Sequence, residues 1–258
     1  MQPPAGKKSG VPSLFRAFPL ALTFLTILPW PPRPVAAPEE LARALFWFPW
    51  VGAVLGAIYA AAGVVAFRLF PSGAAAVVLV ALTVILTRGL HLDGLADTLD
   101  GLGGGRDPAS RLAVMKDSRL GAFGALALVL ALLLKFAFLQ VLLEAGRWGA
   151  LFLFPAVSRA GMVLLAFLSP YARPEGGLGR AMTEGVTPGI LSGALLSAVG
   201  LALLAGGLAG LVVLTLAGLT VLGLSRLFTR LLGGVTGDVL GAANEILEIL
   251  ALAVLAAR

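Results

Sequence analysis

Long apolar runs separated by short polar segments dominate the hydrophobic pattern of this chain. Residues 44–67 and 69–87 contain no charged side chain, and 120–143 and 148–169 contain one each, Lys135 and Arg159. Each run approaches or exceeds the roughly 20 residues a helix needs to cross a hydrocarbon core. The charge-free stretch 190–225 is long enough for two short helices hinged near Gly206 and Gly207. A last apolar helix is expected over 239–257, with Glu245 and Glu248 in its first half. Residues 17–30 are apolar but short and run straight into PWPPRP, which predicts an interfacial or re-entrant helix. The expected fold is therefore all-α. It is a polytopic membrane bundle of about six transmembrane helices plus the N-terminal piece, in one membrane domain over residues 1–258. Residues 1–16 are expected to form a flexible cytoplasmic N-terminus.

Composition supports this class. Hydrophobic residues make up 59% of the chain and charged residues 12%, against roughly 25% charged in soluble domains. Glycines, 33 in all and often set among alanines, suit close packing of membrane helices. The absence of cysteine excludes disulfides, thiolate metal sites and cysteine nucleophiles. A net charge of +6 suggests nucleic acid at first sight, but basic excess in a membrane protein marks its cytoplasmic loops. The expected partners are the lipid bilayer and small molecules, with no nucleic acid, and homo-oligomerisation is left open. The first apolar run lacks a small-residue cleavage site and is expected to be retained.

Counting Lys and Arg gives an orientation. If residues 17–30 do not cross, fourteen basic residues lie inside, three (Arg68, Arg147 and Arg258) outside and two within the membrane. If they do cross, the bias weakens to eleven against six. The first arrangement is expected, and it brings residues 88–119, 170–188 and 226–238 to one cytoplasmic face, where they can build a single site.

The stretch 88–124 is the polar island of the sequence. Asp93, Asp97 and Asp100 stand at i, i+4 and i+7, so at about 100° per residue their carboxylates share one narrow helical face. Like charges so close repel unless a cation lies between them. Hard carboxylate oxygens without His or Cys suit Mg²⁺, which commonly binds one or two carboxylates together with substrate phosphates. The alternative is a solvated helix end whose aspartates pair with nearby Arg and Lys. Gly103 and Gly104, next to Arg106, could cradle a phosphate through backbone amides, or could simply end the helix. Lys116 and Arg119 flank Asp117; they could clamp a diphosphate, or serve only as a positive-inside flank. His91, the only histidine, sits about 160° from Asp93 on a helix, as a structural residue or a substrate contact. Arg159, at mid-span, should face the bundle and pair with a carboxylate or a phosphate. Lys135 either joins the site or snorkels. Asp238 and Glu245, with Glu248, either complete the site or charge a helix start.

The segments HLDGLADTLDGLGGGRDPASRLAVMKDSRLGAFG, LLLKFAFL, PAVSRAGM and LGGVTGDVLGAANEILE resemble the signature of the cobalamin synthase family, the adenosylcobinamide-GDP ribazoletransferases of prokaryotic vitamin B12 assembly. The resemblance runs in order from Phe24 to Glu248; the first sixteen residues and the Pro-rich link carry none. It implies a Mg²⁺-dependent enzyme of the cytoplasmic (inner) membrane with its active site facing the cytoplasm. The reaction would join adenosylcobinamide-GDP to α-ribazole, or its 5′-phosphate, and release GMP. In that reading Asp93, Asp97 and Asp100 hold the metal, and Arg106, Lys116, Arg119 and Arg159 neutralise the diphosphate. The 5′-hydroxyl of the ribazole attacks, and Asp100 or Asp117 takes its proton, while His91, Gly103, Gly104, Asp238 and Glu245 contact substrate. DGLADTLDG also looks like the acidic motif of CDP-alcohol phosphotransferases, but GGGRD replaces that family's later spacing. A prenyltransferase would need a second Asp-rich motif, and a secondary transporter would place its carboxylates at the bilayer midplane.

Overall fold

The computed structural model describes residues 14–31 and 37–257. Lys7, Lys8, Arg33 and Arg258 of the charge count, and most of the expected N-terminal tail, lie outside the described residues. In chain order the helices are α1 (Phe18–Leu25), α2 (Pro38–Ala44), α3 (Phe48–Leu69), α4 (Ser72–Thr87), α5 (Leu90–Gly104) and α6 (Pro108–Val114). They are followed by α7 (Ala122–Glu144), α8 (Trp148–Leu168), α9 (Leu178–Gly185), α10 (Pro188–Leu232) and α11 (Gly237–Ala256). Among the described residues five helices are long and apolar enough to cross a membrane, and six when α4 and α5 count as one broken span. The apolar pattern predicts this class and about this number.

α8 is the axis of the bundle, with most of its residues from Ala150 to Ala166 buried, and α3, α10 and α11 pack around it. The α3 contact is a close backbone approach, because a Cβ on Gly52 or Gly56 would meet the carbonyl oxygens of Pro155 and Phe152. Outward-facing leucines such as Leu126, Leu130, Leu133, Leu204 and Leu208 clothe α7 and α10 where lipid replaces protein.

α10 is a hairpin. Gly207 has φ 55° and ψ −132°, outside the helical region. A Cβ on Gly210 would fall 2.2 Å from the carbonyl oxygen of Ala202, whereas eight residues of continuous helix would separate them by about 12 Å. The sequence hinge at Gly206 and Gly207 is thus where the chain doubles back, and both ends of α10 emerge on one side.

The N-terminal piece is too short to cross as a helix. From Phe15 to Leu25 it is a short 3-10 turn followed by α1, spanning well under the ~30 Å hydrocarbon thickness. It continues as extended chain, where the Ile27 amide donates to the Leu86 carbonyl at 2.8 Å, and Arg88 donates to the Thr23 carbonyl at 3.1 Å. Arg88 and Gly89 are both left-handed, with φ 55° and 65°. Two such residues in succession end α4 and turn the chain 88° into α5.

The two ends of the bundle differ. At one end Ser72 donates to Glu144 at 2.6 Å, and Arg147 donates to the carbonyls of Leu255 and Ala257. At the other end the 170–177 loop meets the 233–237 turn, with Ala172 donating to Val235 and Val235 to Pro170 at 2.9 Å each. Lys116 there pairs with Glu175, and Arg111 donates to the Leu231 carbonyl at 2.9 Å. The polar island, the 170–188 loop and the 226–238 segment share this end.

Candidate active site

α5 reaches the site end because it packs tightly on α11. At Gly94 a Cβ would come 2.6 Å from the Asp238 carbonyl oxygen, so the missing side chain lets α5 lie against the first turn of α11. This crossing sets Asp93 and Asp97 beside Asp238. Asp97, partly buried, experiences the charges of Asp93, Asp238, Asp100 and Arg173.

Two cavities meet here and share Leu90 and Asp93. One, of about 300 Å³, lies among α5, α8, the 171–182 segment and α11; its lining includes His91, Tyr171, Arg173, Met182 and Asp238. The other, of about 690 Å³, lies between the α4–α5 break and α7, with Arg88, Asp93, Asp97 and Ser118 at its polar part and Leu128 and Leu132 beyond. Among the described residues neither the Asp93 nor the Asp97 carboxylate has a hydrogen-bond or ion-pair partner. Asp238 is held by Arg173, whose Nη2 donates to its Oδ2 at 2.7 Å.

The third aspartate of the expected triad is used differently. Asp100 is buried, and its two oxygens accept the amides of Gly121 and Gly124 at 2.8 Å each, so its carboxylate caps the free N–H groups at the start of α7. Among the described residues no three His, Asp or Glu side chains converge into a ready-made metal cage. The carboxylates left open are Asp93 and Asp97.

Other expected site residues are also engaged elsewhere. Gly103 packs on the Phe123 ring and Gly104 on Val114, so both serve helix packing at the end of α5. Arg106 is exposed, and its amide donates to Ser110 Oγ at 3.0 Å. Asp107, the N-cap of α6, forms a capping box with Ser110, and those hydrogen bonds hold its carboxyl below the usual range. Asp117 is partly exposed and chelated by Arg119, with contacts down to 2.5 Å. That hydrogen bonding lowers its pKa to about 2, which makes it a poor proton acceptor. Tyr171, at the cavity wall, has its phenol pushed up by burial.

Arg159 and Glu245 line neither cavity. They belong to a closed ionic cluster inside the bundle. Lys135 Nζ lies 2.6 Å from Glu245 and 2.7 Å from Glu248. Arg159 pairs with Glu248 and donates to the Pro155 carbonyl and Ser158 Oγ. Asn244 donates to Glu248 at 3.2 Å. All four charged side chains are at most 4% exposed. Two cations and two anions balance, which is the condition for keeping charge in a low-dielectric interior. His91, 2% exposed, stands between this cluster and the smaller cavity.

One participant, Arg173, is not among the site residues expected from sequence. It sits in a loop, PYARPEGG, where one arginine looks like any positive-inside residue. Glu248 is the hub of the cluster; its i, i+3 spacing from Glu245 was visible, but not which partners it meets.

The sequence model of cobalamin-5-phosphate synthase matches residues 17–256. The chain is 50% identical over 238 residues to the adenosylcobinamide-GDP ribazoletransferase of Syntrophobacter fumaroxidans, covering 91% of this chain and 96% of that one. It is 44% identical over 236 residues to the protein of that name from a Roseiflexus species, covering 91% and 87%. The one from Stutzerimonas stutzeri is 43% identical over 230 residues, covering 89% and 93%. No solved structure matches significantly. With open carboxylates gathered at one end of a membrane bundle and near-complete coverage by these relatives, the chain belongs to the cobalamin-5-phosphate synthase family.

Proposed function

We propose that this protein is a Mg²⁺-dependent adenosylcobinamide-GDP ribazoletransferase of a prokaryotic cytoplasmic membrane. It would join adenosylcobinamide-GDP to α-ribazole or its 5′-phosphate and release GMP. The observation that carries the reading is the pair of partnerless carboxylates, Asp93 and Asp97, where two cavities meet in a chain of this family.

The donor set fits a magnesium ion: hard oxygens, no sulfur ligand, and two open carboxylates, which is the number Mg²⁺ commonly takes when phosphates supply the rest. Asp93 and Asp97 would hold it; Asp100, bound to backbone amides, would not. When bound, Mg²⁺ supplies charge stabilisation to the diphosphate oxygens.

A ribose hydroxyl of the ribazole attacks the phosphorus that carries cobinamide. The bond from that phosphorus to the bridging oxygen breaks, and GMP leaves with the bridging oxygen. The family's description names a product that keeps a 5-phosphate, so the attacking oxygen is another ribose hydroxyl, in place of the 5′-hydroxyl expected from sequence. The hydroxyl proton passes to whichever oxygen of Asp93 or Asp97 the metal leaves free, because Asp100 and Asp117 are engaged. Arg173, fixed by Asp238, faces the leaving group, while Arg106, Lys116 and Arg119 form an exposed cationic rim that attracts the anionic donor.

Charge distribution supports a cytoplasmic site. Among the described residues eleven Lys and Arg lie at the site end, and Arg68 and Arg147 at the other, with Lys135 and Arg159 inside the bundle. Purified protein given adenosylcobinamide-GDP, α-ribazole and Mg²⁺ is expected to release GMP in step with formation of the joined corrinoid. Absence of GMP release from folded protein would overturn the reading.

A further inference from the structure

The two cavities are unequal and share a wall at Asp93. We propose that the 300 Å³ cavity is a nucleoside pocket that holds the guanosine monophosphate half of the donor, with the corrinoid excluded to the larger groove.

Size makes the first cut. A cavity of about 300 Å³ is at the lower end of the ~300–1,000 Å³ range of small-molecule sites. It takes one nucleoside; a corrin ring with its side chains is several times bulkier. The 690 Å³ groove instead runs from Arg88 and Asp97 towards Leu128 and Leu132, giving a large and partly apolar body a way out along α7.

Wall chemistry makes the second cut, between guanosine and ribazole. A benzimidazole base carries no hydrogen-bond donor, whereas guanine presents N–H donors beside a carbonyl acceptor. The pocket offers the complement to guanine. The hydrogen bonds that Asp238 receives, from Arg173 at 2.7 Å and Thr236 at 3.3 Å, both fall on Oδ2, which leaves Oδ1 to accept from a ligand. Arg173 Nε is buried and has no acceptor, so it has an N–H to donate. Leaving such a donor unmet costs more than a surface donor would. Gly176, Gly177 and Gly179 keep side chains off the facing wall, and Met162, Met182 and Phe24 supply the apolar faces for a flat base. This assignment rests on the ribazoletransferase reading and places GMP on the side of Asp93 away from the corrinoid.

Gly237 provides the test. It lines the pocket, and a Cβ added there meets nothing within 4 Å, so Gly237→Val narrows the cavity without a clash at that atom. Binding of GMP and of α-ribazole is measured by calorimetry on the detergent-purified full chain, with turnover on the same preparations and thermal unfolding as the folding control. Gly237→Val is expected to weaken GMP roughly tenfold and to leave α-ribazole within about twofold. Arg173→Lys, which keeps the charge and loses the Nε–H, is expected to weaken GMP by about tenfold as well. If α-ribazole is weakened and GMP is not, in protein that still turns over, the pocket assignment is overturned and the activity stands. If neither nucleoside binds the folded wild type and no GMP is released, both fall.

Discussion

α11 carries acidic side chains into two environments only two turns apart. Asp238, in its first turn, opens on a cavity beside Asp93 and Asp97, and of those three carboxylates only Asp238 has an ion-pair partner among the described residues, Arg173. Glu245 and Glu248, further along the same helix, are sealed with Lys135 and Arg159 in a balanced cluster. Cost alone does not distinguish the two, since charge is expensive in either setting. The difference is charge balance. The inner cluster sets two cations against two anions within the protein, and the outer one is left with negative charge that a cation would answer, the cation in turn attracting a diphosphate. The first arrangement ties α7, α8 and α11 together, and the second is equipped for chemistry.

Substitutions can break this contrast at either end. The largest effect is expected from Asp97→Asn, which keeps the shape and removes one open charge: GMP release should fall about a thousandfold, with the unfolding temperature little changed. Glu248→Gln should do the reverse. It leaves Arg159 and Lys135 buried with one anion between them, a loss of about 3–5 kcal/mol in stability, read by denaturant or thermal unfolding in detergent. Pairing it with Lys135→Met restores balance and should recover much of that loss. Asp100→Asn sharpens the contrast from within α5. It removes a charged acceptor from two α7 amides and should cost about 1.5–3 kcal/mol of stability, with turnover reduced less than by Asp97→Asn. The smallest effect is expected for Glu175→Gln, which releases the half-exposed Lys116: a stability change of roughly 0–1 kcal/mol, as for other surface pairs.

Much of the fold was legible in the sequence, because a hydrocarbon solvent leaves a strong signal. The apolar runs became α3, α4, α7, α8, the two legs of α10 and α11, and the Gly206–Gly207 pair marked the hairpin. The shortness of the first apolar run matches the shortness of α1, which falls outside the helices long enough to cross. The site was legible as a region and less so residue by residue. Helical spacing put Asp93, Asp97 and Asp100 on one face, but it carries no information about a neighbouring helix, and the α7 N-terminus claims Asp100. For the same reason the sequence left Arg159 a choice between a carboxylate and a phosphate, which Glu248 on α11 settles as a carboxylate, and it did not show that Lys135 on α7 holds Glu245. Arg173 gave no signal at all; its importance comes from a loop that folds back over Asp238.

The most direct measurement is GMP release by Asp97→Asn and by wild type, titrated with Mg²⁺ at saturating adenosylcobinamide-GDP and α-ribazole, with folding checked on the same samples. The expected result is a wild-type rate that rises with Mg²⁺ and saturates, and a folded variant about a thousandfold slower whose residual rate needs more Mg²⁺. A folded Asp97→Asn protein with the wild-type rate and the wild-type Mg²⁺ dependence would contradict the assignment of the open carboxylates to catalysis.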